Sequence, residues 1–146
     1  MKLASRKFRK EVFIVDDSRL VRERLVDLLS EVPDVVIVGQ AGAATEAIRA
    51  IQMARPKVVV LDISMPGGSG LLVLEEIKKS SPPPVVIMLT NFANDPYRQR
   101  CVGLGAEYFF DKSTEFDKVK EVLENFGALP TEAVKTPKIT KHVPTT

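Results

Sequence analysis

The sequence contains very little cysteine, histidine and tryptophan. Its 146 residues include one cysteine, Cys101, one histidine and no tryptophan. A single cysteine excludes an internal disulfide framework and a cysteine-rich zinc site, and it is typical of a reducing compartment, so we expect a cytoplasmic protein. No apolar run approaches the ~20 residues of a bilayer span, and the first residues lack the apolar stretch of a signal peptide. We therefore expect no membrane partner.

The chain also lacks a strong overall charge, because a formal net charge of +2 averages over unlike regions. Residues 1–10 carry five basic and no acidic side chains, and residues 130–146 carry three basic and one acidic side chain. Residues 11–129 carry 13 basic and 18 acidic side chains. A nucleic-acid-binding domain usually clusters Lys and Arg on its folded face. The acidic central region therefore argues against nucleic-acid recognition, and we expect no nucleic-acid partner.

Five apolar runs rich in β-branched and aromatic residues recur at wide spacing. Each run is continuous rather than alternating, which is typical of strands covered on both faces of a parallel sheet. The runs are 12–15, 35–38, 58–61, 85–89 and 108–110. Stretches of helical periodicity lie between and after them, at 20–29, 43–54, 71–77, 95–104 and 116–126. The alternation predicts an α/β fold with a doubly wound five-stranded parallel sheet.

Composition divides the chain into three parts. We predict a basic N-terminal arm over residues 1–10, one domain over 11–129, and a flexible tail rich in Pro, Thr and Lys over 130–146. The domain has ordinary globular composition, with 45% hydrophobic and 27% charged residues in the whole chain. The tail is too short for a helix-turn-helix module, so we expect no output domain in this chain.

Polar residues stand where the predicted strands end. In an open parallel sheet the carboxyl ends of the strands share one edge, and ligand sites lie there. The residues at these positions are Asp16, Asp17, Asp62, Thr90, Asp111 and Lys112. We therefore expect carboxylates, an ammonium group and a hydroxyl group to converge on one edge of the sheet.

This set of groups suggests phosphoryl chemistry. Asp16, Asp17 and Asp62 would repel one another unless a cation lay among them, and oxygen-only ligands with several waters suit Mg²⁺ better than zinc. The Lys112 ammonium and the Thr90 hydroxyl complete the parts that take up a phosphoryl group. Asp62 is the candidate nucleophile because it ends the central strand and precedes a glycine-containing loop with room for a bound group.

These residues also carry a resemblance to a known family. Over about residues 11–127 the chain resembles the receiver domain of two-component response regulators, a flavodoxin-like (βα)5 domain of the CheY-like type. The matching features are Asp16-Asp17, the stretch 60–66 around Asp62 with Gly70 eight residues after it, Leu89-Thr90, and Gly105-Ala106 followed by Phe109 and Lys112. One acidic pair is weakly specific, but four features in this order at strand ends are strongly specific.

The resemblance implies a phosphorelay protein. A histidine kinase or phosphotransfer protein would donate a phosphoryl group to Asp62, and the domain would catalyse only its own phosphorylation and dephosphorylation. Asp17 and Asp62 would bind Mg²⁺ directly with the Ser64 carbonyl group, and Asp16 would bind it partly through water. An effector protein, which the sequence does not identify, would recognise the phosphorylated domain.

The resemblance also implies a conformational switch. Thr90 and Lys112 would hold the phosphoryl oxygens, and the movement of Thr90 would let the switch aromatic Phe109 turn inward. The surface of the fourth helix, fifth strand and fifth helix would change as a result. The same face offers charged residues for a homodimer, which the sequence leaves open.

Two departures from the family pattern affect the site. The family often has proline after the lysine, in a cis bond, whereas Ser113 follows Lys112 here and leaves that bond's geometry open. Phe92, two residues after Thr90, is bulky and apolar at a position that influences how water reaches the phosphoryl group. We hypothesise that Phe92 shields that group and slows its loss.

Other interpretations of the same residues remain. Asp17 and Ser18 are preferred N-cap residues and could simply cap the first helix. The domain could be the receiver portion of a DNA-binding regulator, or a small-molecule phosphatase that forms an aspartyl phosphate. A haloacid-dehalogenase-type phosphatase would have an acid where Ser64 stands. A flavodoxin-like binding module and a receiver used only for docking are also open, although acidic strand ends suit a flavin phosphate poorly.

Overall fold

A five-stranded parallel sheet forms the centre of the domain, in the strand order β2-β1-β3-β6-β7. The computed structural model describes residues 8–127. The sheet strands are β1 (Lys10–Val15), β2 (Val35–Ala41), β3 (Val58–Leu61), β6 (Val85–Thr90) and β7 (Tyr108–Asp111), and β4 (Ser64–Met65) and β5 (Gly68–Ser69) form a separate hairpin. The helices are α1 (Arg19–Leu29), α2 (Ala44–Ala54), α3 (Gly70–Ile77), α4 (Asp95–Gly103) and α5 (Lys118–Asn125). This confirms the predicted doubly wound α/β fold.

The two faces of the sheet bury separate hydrophobic clusters. Side chains of α2, α3 and α4 pack on one face with Phe13, Met88 and Phe109. Side chains of α1 and α5 pack on the other face with Ile14 and Leu89. Alternate residues of each strand therefore enter different clusters, as the twofold periodicity of a strand requires. Continuous apolar runs are explained by helices on both sides.

The edge strand β2 is less buried than the other strands of the sheet, and one expectation about the first helix is wrong. The residues of β2 are mostly half-buried, but Val38 packs against one cluster and Ile37 against the other, so helices cover both faces of β2 as expected. Its free edge has no further strand to cover it among the described residues. Leu20 was expected in the apolar stripe of the first helix, but it is 67% exposed in the first turn of α1, whereas Leu25 and Leu29 are buried. The core-facing stripe of α1 therefore begins after its first turn.

Short elements near the strand ends were not predicted. The hairpin of β4 and β5 pairs Ser64 with Ser69 and Met65 with Gly68. Pro66 and Gly67 form its turn, and Gly67 and the first residue of β5, Gly68, have φ values of 79° and 128°, which favour glycine. The hairpin begins two residues after Asp62 and leads into α3. The start of α4 matches the expectation, because Asn94 caps it and Pro96 stands in its first turn.

The end of the predicted N-terminal arm is part of the folded domain. Within the predicted arm, Lys10 already belongs to β1, and its ammonium donates to the Leu123 carbonyl oxygen at 2.9 Å. Residues 1–7 of the predicted arm and the whole predicted tail lie outside the described residues. Among residues 8–127, none of the helices combines the length and hydropathy that a membrane span requires.

Candidate phosphoacceptor site

The three predicted carboxylates lie together at the carboxyl edge of the sheet. Asp16 and Asp17 follow β1, and Asp62 follows the neighbouring strand β3. One carboxylate oxygen from each residue lies within 4.8 Å of the other two. Asp16 and Asp62 are buried, with 1% and 5% exposure, while Asp17 is exposed. The site is therefore a shallow acidic hollow with a buried floor and one solvent-facing acid.

Lys112 joins two of these carboxylates. Its Nζ atom lies 2.7 Å from Asp16 Oδ2 and 2.9 Å from Asp62 Oδ2, and its side chain is 11% exposed. An ammonium group has three donors, so one N–H remains for a further acceptor. The predicted convergence of Asp16, Asp62 and Lys112 on one edge is confirmed, although these residues are far apart in the chain.

Burial and charge oppose each other within the site. Burial raises the pKa of Asp16, and the hydrogen bonds from Lys112 and the Ser18 N–H group only partly offset this effect. Burial of Lys112 acts to lower its pKa, but the hydrogen bonds to Asp16 and Asp62 outweigh burial and raise it. The lysine is therefore held as a cation, and it supplies one positive charge to a site with three carboxyl groups. This arrangement favours a second cation.

The second oxygen of each buried carboxylate is also fixed. Asp62 Oδ1 accepts from the Ile63 N–H group at 2.7 Å, and Asp16 Oδ1 accepts from the Ser18 N–H group at 2.9 Å. Ser18, rather than Asp17, is the N-cap of α1, since its hydroxyl accepts from the Val21 N–H group. The capping interpretation is confirmed for Ser18, and Asp17 belongs to the acidic hollow.

Gly70 has a steric role beside Asp62. A Cβ atom on Gly70 would lie 1.8 Å from the Asp62 carbonyl oxygen, which no side chain could tolerate. The Gly70 N–H group also donates to the Ile63 carbonyl oxygen at 2.6 Å. The start of α3 therefore packs directly against the backbone of the candidate nucleophile, which explains why glycine stands eight residues after Asp62.

Thr90 is fully buried at the end of β6. Its hydroxyl oxygen accepts from the Phe92 N–H group at 3.0 Å, and its carbonyl oxygen accepts from the Lys112 N–H group at 2.8 Å. The Thr90 hydroxyl thus keeps its own hydrogen free to donate. Thr90 is tied to Lys112 through the backbone, and no side-chain hydrogen bond joins its hydroxyl to the acidic hollow in the described part of the chain.

Phe109 is buried on the face of the sheet that also holds Met88. It is 3% exposed, and the Arg98 guanidinium group lies 4.7 Å from its ring centroid. Thr90 and Phe109 project to the same face, because Thr90 lies two residues after Met88, the register partner of Phe109. The switch role of Phe109 stays a prediction, with the ring in an inward position.

Phe92 and Ser64 border the site. The Phe92 side chain is 45% exposed, and its ring centroid lies 5.9 Å from that of Tyr97. These two rings line a hollow of about 250 Å³ together with the residues after Asp62, including Ile63 and Ser64. Ser64 lies on β4 with an exposed side chain. Its carbonyl group as a metal ligand stays a prediction.

Arg22 also holds the backbone of the site in place, and no sequence pattern indicated this role. Its Nη1 atom donates to the Asp16 carbonyl oxygen at 2.7 Å, and its Nε atom donates to Gln40 Oε1 at 3.1 Å. Arg22 thereby links α1 and β2 behind the acidic hollow. In the sequence it is one of several charged residues on the polar side of a helix, so no pattern distinguishes it.

Comparisons with known proteins identify the family. A family model described as the response regulator receiver domain matches residues 12–124. The chain therefore belongs to the receiver domain family of two-component response regulators, as the resemblance implied. Phosphorylation and Mg²⁺ binding at an acidic pocket are typical of this family.

Particular relatives are similar over most of this chain. The uncharacterized transcriptional regulatory protein YvfU of Bacillus subtilis is 38% identical over 112 residues, which are 77% of this chain and 56% of the relative. The DNA-binding transcriptional activator DevR/DosR of Mycobacterium tuberculosis is 32% identical over 118 residues, which are 81% of this chain and 54% of the relative. The response regulator domain of Thermotoga maritima CheB has a TM-score of 0.72 and 31% identity, over 81% of this chain and 93% of that chain. The chain spans about half the length of the two curated relatives.

Proposed function

We propose that this receiver domain accepts a phosphoryl group on Asp62 from a phosphohistidine of a histidine kinase or phosphotransfer protein. The observation that supports this proposal most directly is that the Lys112 ammonium group bridges Asp16 and Asp62 within a group of three carboxylates. A lysine at this point places positive charge where the phosphoryl oxygens would arrive. Membership of the receiver family supports the same role.

The transfer step needs few groups. A carboxylate oxygen of Asp62 forms a bond to phosphorus as the bond between phosphorus and the histidine nitrogen breaks, and the imidazole leaves with a proton from solvent. The free N–H of Lys112 donates to a phosphoryl oxygen. The Thr90 hydroxyl donates to another after it turns from its present position beside the Phe92 N–H group. The product is an acyl phosphate on Asp62.

The acidic hollow fits Mg²⁺. Its donors are oxygen atoms only, one acid faces solvent, and Lys112 leaves a net negative charge. We propose that Asp17 and Asp62 bind the ion directly with the Ser64 carbonyl group, and that Asp16 binds it partly through water. When bound, Mg²⁺ offsets the charge that gathers between the carboxylates and the phosphoryl oxygens.

The output of the domain is a change in partner binding. We propose that Thr90 and Phe109 couple the phosphoryl group to the surface of α4, β7 and α5, which an effector protein recognises. Their location on one face of the sheet and the burial of Phe109 support this coupling. The proposed activity is limited to self-phosphorylation and self-dephosphorylation, and we propose a cytoplasmic location because the one cysteine, Cys101, is a buried free thiol.

A second candidate function is supported by the relatives. DevR/DosR is named as a DNA-binding transcriptional activator, and this chain matches 54% of its length. We propose as the alternative that this domain serves as the receiver portion of such a regulator. Phosphorylation at Asp62 would then control DNA binding through a separate part of the protein.

Incubation with acetyl phosphate and Mg²⁺, followed by intact mass measurement, tests the main proposal. We expect the mass of one phosphoryl group on the wild type and none on Asp62→Ala or in the presence of EDTA. Asp117→Ala is a matched control, because Asp117 is exposed and its side chain makes no cap hydrogen bond. No added mass on the wild type, or added mass that persists in Asp62→Ala, overturns the proposal. Turnover of generic phosphate esters would instead indicate a phosphatase.

A further inference from the structure

The loop that carries Lys112 is closed by two acidic residues. The Glu115 N–H group donates to the Asp111 carbonyl oxygen at 2.8 Å, and the Asp111 N–H group donates to Glu115 Oε1 at 2.8 Å. Lys112 lies inside this reciprocal pair. Glu115 Oε2 also accepts from Lys118 Nζ at 3.0 Å, which links the loop to α5. The backbone on either side of Lys112 is therefore held from both ends.

The Asp111 carboxylate organises the inside of this loop. Its Oδ1 atom accepts from the Ser113 hydroxyl at 2.7 Å, from the Ser113 N–H group at 2.8 Å and from the Thr114 N–H group at 3.3 Å. The Lys112–Ser113 peptide bond is trans, since the one cis bond among the described residues is Ser81–Pro82. The loop thus takes its shape from side-chain hydrogen bonds to backbone donors.

Both loop acids are held in their ionised forms. The hydrogen bonds from the Ser113 hydroxyl and N–H groups lower the pKa of Asp111. Burial acts to raise the pKa of Glu115, but the Asp111 N–H group and Lys118 outweigh it and lower that pKa. A charged carboxylate forms stronger hydrogen bonds to these donors than a neutral group would.

Asp111 makes none of the contacts expected of a site acid. The acidic hollow comprises Asp16, Asp17 and Asp62, and Asp111 is not among the grouped carboxylates of the described residues. The three hydrogen bonds to its carboxylate all go to one oxygen, Oδ1, and their donors belong to its own loop. Asp111 is therefore the acid at a strand end whose hydrogen bonds serve the position of Lys112 rather than the binding of a cation.

The position of Lys112 needs such support. Lysine has a long flexible side chain, and holding its ammonium group between two buried carboxylates costs conformational entropy. A loose loop would let the ammonium group leave the site. A displacement of about 1 Å in a positioned group can slow a reaction by roughly 100-fold.

We infer that Asp111 is a positioning residue, which acts through the backbone of the loop to hold the Lys112 ammonium group over Asp16 and Asp62. This inference rests on the proposed function of Asp62 as phosphoacceptor. It assigns the acid before Lys112 a role in the rate of phosphorylation without any contact with the phosphoryl group. Asp111 also competes indirectly with the metal, because a well-held Lys112 occupies carboxylate oxygens.

The test compares Asp111→Ala with Asp111→Asn, and with Asp117→Ala as the matched loss of an exposed acid near the same loop. We expect Asp111→Ala to phosphorylate with acetyl phosphate roughly 10-fold more slowly at saturating donor. Asp111→Asn keeps the Oδ1 acceptor, so we expect its rate to lie within about twofold of the wild type. Circular dichroism checks that each variant is folded.

Mg²⁺ affinity distinguishes the loss of Lys112 positioning from general damage to the site, because the two effects change that affinity in opposite directions. Because Lys112 engages Asp16 and Asp62, freeing it should tighten Mg²⁺ binding in Asp111→Ala by about two- to threefold. A disordered site would bind Mg²⁺ more weakly. In a Lys112→Ala background, the Asp111→Ala change should alter neither the rate nor the affinity further.

Several results would overturn the inference. These are an Asp111→Ala rate equal to that of Asp117→Ala, equal slowing in the Lys112→Ala background, and weaker Mg²⁺ binding together with slower phosphorylation. If Asp111→Ala does not fold, Ser113→Ala replaces it, with slowing of about two- to threefold expected from the lost hydroxyl donor. An unchanged rate in Ser113→Ala then counts against the inference.

Failure of the proposed function gives a different result. In that case the wild type takes up no phosphoryl group, or Asp62→Ala takes it up equally. The Mg²⁺ affinity of Asp111→Ala then decides the inference by itself, because it reports whether Asp111 holds Lys112 against the carboxylates. Unchanged or weaker affinity would reject it.

Discussion

Two lysines of nearly equal burial lie at opposite ends of the sheet, and their surroundings differ in charge. Lys78, at the amino ends of β6 and β7, has 13% of its side chain exposed and binds both oxygens of Glu107 at 2.9 Å and the Pro84 carbonyl oxygen at 2.7 Å. Lys112, at the carboxyl ends, has 11% exposed and binds two carboxylates beside a third. Lys78 is paired with one carboxylate, whereas Lys112 lies among three.

This difference separates a structural ion pair from a functional site. Glu107 Oε1 also accepts from the Val86 N–H group at 2.9 Å, so the Lys78 cluster joins an ammonium, a carboxylate and two backbone groups. The Lys112 cluster has excess negative charge and a spare ammonium donor. Of the two arrangements, only the Lys112 cluster has unbalanced groups that could bind a cation and an anion from solution.

The largest effect should come from Lys112→Met. This change keeps a long apolar stem and removes the charge that would stabilise the transferred phosphoryl group. We expect phosphorylation by acetyl phosphate to slow about 100-fold. Intact mass measured over time gives the rate, with Lys78→Met as the matched control. Equal slowing in both variants would remove the distinction between the two lysines.

Mg²⁺ should stabilise the domain through the carboxyl end alone. At about 100 times its dissociation constant, one bound ion adds about 2.7 kcal/mol to the free energy of unfolding. We expect thermal unfolding with and without Mg²⁺ to show this in the wild type and in Lys78→Met, and to show little in an Asp17→Ala, Asp62→Ala double variant. Equal stabilisation of the double variant by Mg²⁺ would contradict the assignment of the site.

Lys78→Met should lower the free energy of unfolding by about 2 kcal/mol, because it leaves the partly buried Glu107 carboxylate without its cation. Mg²⁺ should not restore this loss, and the initial phosphorylation rate should stay close to that of the wild type. Urea unfolding monitored by circular dichroism measures the change. A Lys78→Met protein as stable as the wild type would show that the pair contributes no net stability.

The smallest expected effect is a change in phosphoryl lifetime, which compares two exposed aromatic side chains, Phe92 and Phe8. Phe92 is 45% exposed beside the site, and Phe8 is 42% exposed with its ring 5.7 Å from that of Phe126. If Phe92 shields the acyl phosphate from water, Phe92→Ala should shorten the phosphoryl lifetime by roughly threefold, which corresponds to less than about 1 kcal/mol. Phe8→Ala should leave it unchanged. Loss of the phosphoryl mass after removal of donor gives both lifetimes.

The residues of the site could be predicted from the sequence more readily than the ion pair and hydrogen bonds that support the surrounding structure. Asp16, Asp62 and Lys112 could be placed together because the carboxyl ends of parallel strands meet at one edge, whatever their distance in sequence. The Lys78–Glu107 pair follows no such rule, since its members lie 29 residues apart at positions that carry no motif. The contact of Arg22 with the Asp16 carbonyl oxygen was equally hidden, because a charged residue on a helix is ordinarily solvated.

The fold likewise has parts that the sequence predicts and parts that it does not. Long apolar runs predicted the sheet, but the strands β4 and β5 have two residues each, too few for any periodicity to show. Leu20 is exposed in the first turn of α1, and hydrophobic spacing does not show at which turn of a helix the contact with the core begins. The half-burial of β2 depends on strand order, which composition does not determine.

Gly70 has a consequence for how this sequence tolerates substitution. Because any Cβ atom there would collide with the Asp62 carbonyl group, each of the other residue types must displace either the helix or Asp62. In a saturation mutagenesis scan selected for phosphorylation, positions 62 and 70 should therefore be about equally intolerant. Position 62 would be constrained by the proposed reactivity of its side chain, and position 70 by the lack of space for any side chain.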